Sequence, residues 1–244
     1  MIASGTLYLV PTPIGNLEDI TLRALRVLKE VDIILAEDTR TSGVLLNHFE
    51  IKSKVYAYHA FNEHQQVESL LRLMREGKSL ALISDAGTPG ISDPGFLLAR
   101  ACVAEGLPLE CLPGPTAFVP ALLISGLPAD HFEFSGFLPH KKGKQTRLLQ
   151  MLSAHHTQVC YESPHRLVKT LDAIVQLGGG ERKVAVAREI TKKFEQCIRG
   201  TAEEVLLHFQ THEPKGEIVL ILEGKNPKDK TTLVALDEED TDSE

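Results

Sequence analysis

The stretch Leu80–Gly95, LALISDAGTPGISDPG, has the residue types and spacing that most clearly imply chemistry. An apolar run of strand length, Leu80–Ile83, empties into a loop carrying Gly87, Gly90 and Gly95 with Pro89 and Pro94. A parallel strand that ends in glycines leaves backbone N–H groups open at its carboxyl edge, where open α/β sheets bind ligands. Small residues let a ligand approach the main chain closely, and prolines stiffen the loop. The plainer alternative is a long turn into a helix that starts near Pro94. Connections of this kind usually run about 2–6 residues, and longer ones are mostly functional. The loop is therefore expected to be a cofactor floor. Three further loops follow strand-like runs: VPTPIGN, AEDTR and LPGPTAFVPALL. In a parallel sheet such loops gather on one edge, and a hinge to a second domain would roof them. That arrangement suits a medium-sized polar ligand held largely by backbone groups.

The elements that must position these loops alternate along the chain. Thr6–Pro11, Asp32–Ala36, Lys54–Tyr58, Leu80–Ile83 and Leu107–Leu112 read as strands. Between them lie helical patterns: one capped by Asp19 or Thr21, then Thr41–Phe49, Glu63–Glu76 and Pro94–Glu105, with Thr116–Ile124 after the last strand. Strand–helix alternation means βα units and a mostly parallel sheet. A turn-rich hinge, Ser125–Asp130, sets a boundary, giving an N-terminal α/β domain over 1–124 and a C-terminal α/β domain over 130–224. In the second half Phe132–Phe137 is strand-like, Pro139–Thr146 a basic loop, Arg147–Ser153 helical, Thr157–Tyr161 a strand and Pro164–Leu177 a helix. Strands at Lys183–Glu189 and Phe194–Arg199, the helix Ala202–Phe209 and a closing strand Glu217–Leu222 follow. The short gap between the first two makes this sheet mixed.

The 244 residues suffice for one large domain or two smaller ones, and 43% hydrophobic with 24% charged residues is ordinary for a globular protein. No apolar run approaches the roughly 20 residues that span a bilayer. The first residues carry no basic n-region, so the expected setting is the cytoplasm. Cys102, Cys111, Cys160 and Cys197 are widely spaced and read as reduced thiols rather than disulfides or a metal site. The net charge of −7 is unevenly distributed. Residues 1–138 carry 10 basic and 16 acidic side chains, 139–201 carry 12 and 5, and 202–244 carry 4 and 12. A basic middle in an acidic protein points to an anionic partner for that segment; the alternative is a solvated lysine-rich face. The acidic run Asp237–Glu244, within a tail over 225–244, is expected to be disordered.

The common dinucleotide, P-loop, zincin and hydrolase signatures are absent, and the histidines are not spaced as metal ligands. What remains is the set of loops, and six blocks in order carry a resemblance: LYLVPTPIGNLEDITLRALRVLKEVDIILAEDTR, LISDAGTPGISDPG, PGPTAFVPALLISGLP, FSGFLPHKKGKQTR, YESPHRL and REITKKFEQCIRGT. From Thr6 to Gly224 the chain closely resembles the small-subunit ribosomal RNA methyltransferase I branch of the tetrapyrrole-methylase superfamily. The resemblance implies a two-domain tetrapyrrole-methylase-like fold, with S-adenosylmethionine (AdoMet) in the cleft between its domains. It also implies 2′-O-methylation of a cytidine ribose in the decoding region of 16S rRNA, with the small ribosomal subunit as partner and a homodimer as the working form. Carried over motif by motif, it places cofactor contacts at Ile14, at Asp85, Ala86, Gly87, Thr88 and Ile91, and at Thr116 and Ala117. In the second domain it points to Tyr161, Glu162 and Ala187. Thr88 stands where the porphyrin enzymes have Asp, so Asp85 is the candidate to replace that carboxylate. Family members often continue past the last strand into a small helical segment; here the sequence ends in a short acidic tail.

The implied chemistry is displacement at a methyl group by a ribose hydroxyl, which needs positioning and a group to accept the proton. Polar candidates at strand ends are Glu37, Asp38 and Arg40, and Arg188, Glu189 and Lys192. Glu189 or Asp38 is the expected proton acceptor, with Lys192, Arg40 or Arg188 holding phosphate or polarising the hydroxyl. The alternative for each is an ion pair. His140, Lys141, Lys142, Lys144 and Arg147, near Phe134 and Phe137, combine cations with aromatics in a manner suited to RNA phosphates and a splayed-out base. The rival readings are a methylase acting on a macrocycle such as a precorrin, and a non-catalytic RNA-binding assembly factor.

Overall fold

The computed structural model of the chain describes residues 2–226, so the acidic run at 237–244 lies outside the described residues. Strands β1 (Leu7–Leu9), β2 (Ile33–Ala36), β3 (Lys54–Ala57), β4 (Leu80–Ile83) and β5 (Leu109–Cys111) form one wholly parallel sheet in the order β3-β2-β4-β1-β5. Helices α1 (Leu22–Glu30), α2 (Thr39–His48), α3 (Glu63–Arg75) and α4 (Phe96–Glu105) connect them. Side chains of period two sort the two faces of this sheet. Tyr8, Val10, Ile34, Ala36, Ala81 and Ile83 pack with Ala24, Val27 and Leu28 of α1 and Leu46 of α2. On the other face, Leu7, Ile33, Leu35, Leu80 and Leu82 pack with Leu70, Leu71 and Met74 of α3 and Leu98 and Cys102 of α4.

The consequence falls at one place. β4 and β1 are neighbours, but the helix after β1 lies on one face and the helix after β4 on the other. The chain therefore leaves these two neighbouring carboxyl ends for opposite faces of the sheet, which makes this the topological switch point where open α/β sheets bind ligands. The loops there are VPTPIGN and SDAGTPGISDPG.

The second sheet contains β6 (Phe132–Phe137), β7 (Thr157–Glu162), β8 (Lys183–Arg188), β9 (Gln196–Thr201) and β10 (Ile218–Leu222), in the order β6-β7-β10-β8-β9. Only β6 and β7 run parallel, so the sheet is mixed, as the sequence pattern implies. Helices α6 (Lys144–Ser153), α7 (Pro164–Ile174) and α8 (Ala202–Thr211) bury Leu148, Leu171 and Val205 in a core shared with Cys160, Val184 and Leu220. Helix α5 (Phe118–Ser125) packs against β7, β8, β9 and β10, and the two compact units divide at Ala117/Phe118. The division thus precedes α5, whereas the turn signal at 125–130 follows it: contacts with the second sheet, which composition does not reveal, decide where the helix belongs.

Helix α8 opens with a reciprocal cap. The Thr201 hydroxyl accepts from Glu204 N at 3.2 Å, and the Glu204 carboxylate accepts from Thr201 N at 2.8 Å. Thr201→Ala is expected to destabilise this unit by about 1 kcal/mol, read as a shift in the urea midpoint at unchanged slope. No helix among the described residues is long and apolar enough to cross a membrane.

Candidate active site

Three loops at the carboxyl edge of the parallel sheet are knitted together by short contacts. Thr12 and Gly87 form an isolated antiparallel bridge, Thr12 N donating to Gly87 O at 2.9 Å and Gly87 N to Thr12 O at 3.0 Å. The buried Thr12 hydroxyl donates to Ser84 O at 3.1 Å, and the Ser84 hydroxyl to Gly87 O at 3.1 Å. The loop after β4 meets the loop after β5 through Thr88 Oγ1, 3.0 Å from Pro115 O and 2.5 Å from Thr116 Oγ1. The loop after β5 meets the loop after β1 where Gly114 lies on Pro11, so close that a Cβ at Gly114 would stand 2.6 Å from Pro11 Cβ.

Gly87 is the pivot. Its φ of +84° is one that L side chains rarely adopt, and a Cβ there would meet Ile14 Cγ2 at 3.3 Å and Pro115 O at 3.6 Å. Ile14 is buried, Thr88, Ile91, Thr116 and Ala117 are half-buried, and Asp85 and Ala86 are exposed. The structure therefore gathers the residues expected from the first unit onto one set of touching loops.

The carboxylates beside these loops divide into two kinds. Asp38 caps α2: its Oδ1 accepts from Arg40 N at 2.8 Å and its Oδ2 from Arg40 Nη2 at 2.7 Å. Those Arg40 contacts hold its carboxyl down to about 2. A carboxylate so satisfied is a poor match for a proton acceptor at neutral pH, and the exposed Arg40 is the other half of the pair. Glu37, Asp85 and Asp93 go the other way. Partial loss of hydration raises all three, Asp85 included although it is exposed; Asp85 adds to the effect at Glu37, and for Asp93 the charges of Glu37 and Asp85 add to it. Asp93 is pushed up to about 6. It lies between Ser92, at φ +64°, and Pro94 in the expected ligand loop, yet sequence reading passed over it. The available signal was its place inside that loop; its burial was not legible.

In the second unit the expected catalytic set is braced. Glu189 has φ +50°, and its Oε1 accepts from Lys192 Nζ at 3.1 Å and Glu217 N at 3.0 Å. The Glu217 N–H, then Lys192, hold Glu189 below the usual carboxylate range. Lys192 also donates to Glu217 Oε2 at 2.8 Å. Arg188 donates to the carbonyls of Lys215 and Phe194. These residues tie the β8–β9 turn to the start of β10, and Glu189, like Asp38, is held ionised by its partners and is a poor match for a proton acceptor at neutral pH. Glu189→Gln is expected to change the rate of any reaction by less than about threefold and to leave its pH profile in place. The same change should lower stability by about 1–3 kcal/mol through the lost charged hydrogen bonds.

Glu162, expected at a cofactor, is instead turned into the core. Its side chain is fully buried and accepts from Ser163 N at 2.7 Å, Thr170 Oγ1 at 2.6 Å and Arg166 Nη2 at 2.7 Å. Ala187 is buried within β8, and Tyr161 is half-exposed with its ring against Phe134 and Phe137. Of the expected RNA contacts, Lys141 and Lys142 are exposed. Lys144 is not, because α6 begins three residues earlier than the pattern implies and carries its amine to Thr170 Oγ1 at 2.8 Å. Arg147 is paired with Glu133 at 2.5 Å and bonded to Ser135 at 2.7 Å. The groups expected to grip RNA thus reduce to the loop tip.

A parallel sheet with glycine-pivoted loops at its switch point, followed by a mixed-sheet unit, defines a two-unit α/β protein built to hold a ligand on backbone. Residues 6–206 match the model of the Tetrapyrrole (Corrin/Porphyrin) Methylases. The chain is 47% identical over 230 residues to ribosomal RNA small subunit methyltransferase I of Synechocystis, covering 94% of this chain and 82% of that protein. It is 45% identical to the protein of the same name from Thermotoga maritima, covering 91% and 99%. Among solved structures, a uroporphyrin-III-C-methyltransferase from Thermus thermophilus superposes with a TM-score of 0.64 at 25% identity, covering 90% of this chain and 94% of that one. A diphthine synthase superposes at 0.72 with 13% identity, covering 91% and 90%, and supports the fold alone. The chain therefore belongs to the tetrapyrrole methylase family, within its branch of ribosomal RNA small subunit methyltransferases I.

Proposed function

We propose that this protein is an AdoMet-dependent methyltransferase that methylates the 2′-oxygen of a cytidine ribose in small-subunit ribosomal RNA. The observation that carries the reading is the Thr12–Gly87–Thr88–Thr116 loop assembly in a chain that aligns over nine-tenths of its length with relatives named for rRNA methylation. The assembly fits AdoMet: Gly87, at a φ that favours glycine, lets the loop after β4 close on Ile14 and Pro115, and exposed Asp85 and Ala86 stand beside it. Ile14, Gly87, Thr88, Ile91, Thr116 and Ala117 would hold the ligand, and the nearby carboxylates favour one bearing positive charge. When bound, AdoMet supplies an electrophilic methyl group on a sulfonium.

The protein's own part is to position the hydroxyl and take up its proton. Asp93 is the proposed acceptor: it lies half-buried in the loop after β4, the loop that carries Gly87 and Thr88, and burial together with the charges of Glu37 and Asp85 raises its proton affinity toward neutral pH. Lys141 and Lys142 would contact phosphates. The deciding assay transfers labelled methyl from AdoMet to small subunits lacking the modification, with free porphyrinogens in parallel. Label in the ribose of a single cytidine is expected; label in the macrocycle would replace this reading with the tetrapyrrole one, and failure to bind AdoMet would favour a non-catalytic factor.

A further inference from the structure

The exposed cations of the second unit stand on a prepared mount. The loop that presents them leaves β6 at Leu138 and ends at Gly143, the N-cap of α6. At its entry, the carbonyl of the buried Leu138 accepts from Arg166 Nη1 at 3.1 Å. Arg166 Nη2 reaches Glu162 Oε1 at 2.7 Å. At its exit, Lys144 Nζ donates to Thr170 Oγ1 at 2.8 Å, and that hydroxyl donates to Glu162 Oε2 at 2.6 Å. Both ends of the loop are thereby referred to one carboxylate whose side chain is fully buried, through a threonine that is itself fully buried. Between them His140, Lys141 and Lys142 are exposed, and the turn closes with Lys144 N donating to Lys141 O at 3.2 Å and Gly143 at φ +82°.

Stability alone does not explain this. A buried ion pair is often no better for stability than apolar residues of the same volume, so its use where it fixes both ends of a charged loop points to position. We propose that Glu162, Arg166, Thr170 and Lys144 are positioning residues, a clamp that holds the Lys141–Lys142 turn in the form that grips an RNA phosphate backbone. The proposal rests on the reading that the substrate is RNA. Released from the clamp, the turn no longer holds Lys141 and Lys142 at phosphates, so cutting it should weaken RNA binding and release fewer counterions, although both lysines keep their charge.

The test is filter binding of unmodified small-subunit rRNA between 50 and 200 mM salt, with AdoMet affinity measured separately by calorimetry. Thr170→Val removes the linking oxygen and keeps the shape. It should weaken RNA binding about 5–10-fold and make the slope of log K against log salt shallower by about 1–2, as two lost phosphate contacts would. Thr170→Ser should restore both, with AdoMet affinity within about twofold throughout. If Thr170→Val melts below the assay temperature, Lys144→Met cuts the same tie, and amide exchange at Lys141–Gly143 should then accelerate. A wild-type salt slope in Thr170→Val, where Lys141→Glu/Lys142→Glu loses it, overturns the clamp alone. A wild-type chain whose RNA binding ignores that charge reversal overturns both the clamp and this loop as the RNA contact.

Discussion

Gly87→Val eliminates AdoMet binding in calorimetry, with a loss of at least about 100-fold in affinity. A β-branched residue at φ +84° carries roughly 1–2 kcal/mol of backbone strain, and its Cβ would stand 3.3 Å from Ile14 Cγ2 before any further atoms are added. Relief comes only by moving the loop, and Gly87 shares two main-chain hydrogen bonds with Thr12. The distortion therefore spreads to the loop after β1. Gly87→Ala, which adds strain and one carbon, should lie between, with about a tenfold loss. Circular dichroism must show both variants folded; a folded Gly87→Val with unaltered affinity would remove this loop from the cofactor site.

Asp93→Asn is the second large effect: turnover should fall by about 10²–10⁴, the range for removing a general base. Two further readouts separate this role from damage. Asp93 is raised to about 6 from 3.8, so the folded state binds more protons than the unfolded one between those values. Stability contributed by this group is thus present at low pH and lost as pH rises through about 6. The asparagine variant should lack that decline and melt higher than the parent at pH 7. The parent's kcat should also fall below pH 6 with a slope that the variant does not share. A variant that keeps turnover would return the proton to Glu37 or Asp85.

Local pattern made most of the fold legible. Apolar runs at Leu80–Ile83 and Asp32–Ala36, with glycine or acidic residues at their ends, were enough to place parallel strands and the loops beyond them. Gly87 and Thr88 were legible as candidate ligand residues because they lie in the glycine-rich loop that follows β4. The rest depended on where helices begin and on partners brought in by the fold. Asp38 looks catalytic until Arg40 is seen folding back onto it as α2 begins. Glu189 looks available until Gly216 and Glu217 are brought under its carboxylate by β10. Lys144 reads as one of three loop lysines, and only the early start of α6 turns it inward. Asp93 shows the converse: its proton affinity comes from burial, from Glu37 after β2 and from Asp85 at the start of its own loop, and the burial is not announced by its neighbours in sequence.

The position of β1 constrains how the chain emerges during synthesis. Its hydrogen-bonding neighbours are β4 and β5, and Leu7 finds its partners in Leu80 and Leu109. The first of these strands to leave the ribosome must therefore wait, apolar and unpaired, while β2 and β3 appear and pair beyond the gap it will help to fill. At roughly 5–20 residues per second the wait for Leu80 lasts several seconds. Leu7–Val10 is thus the segment of the nascent chain with the longest need of protection by a chaperone.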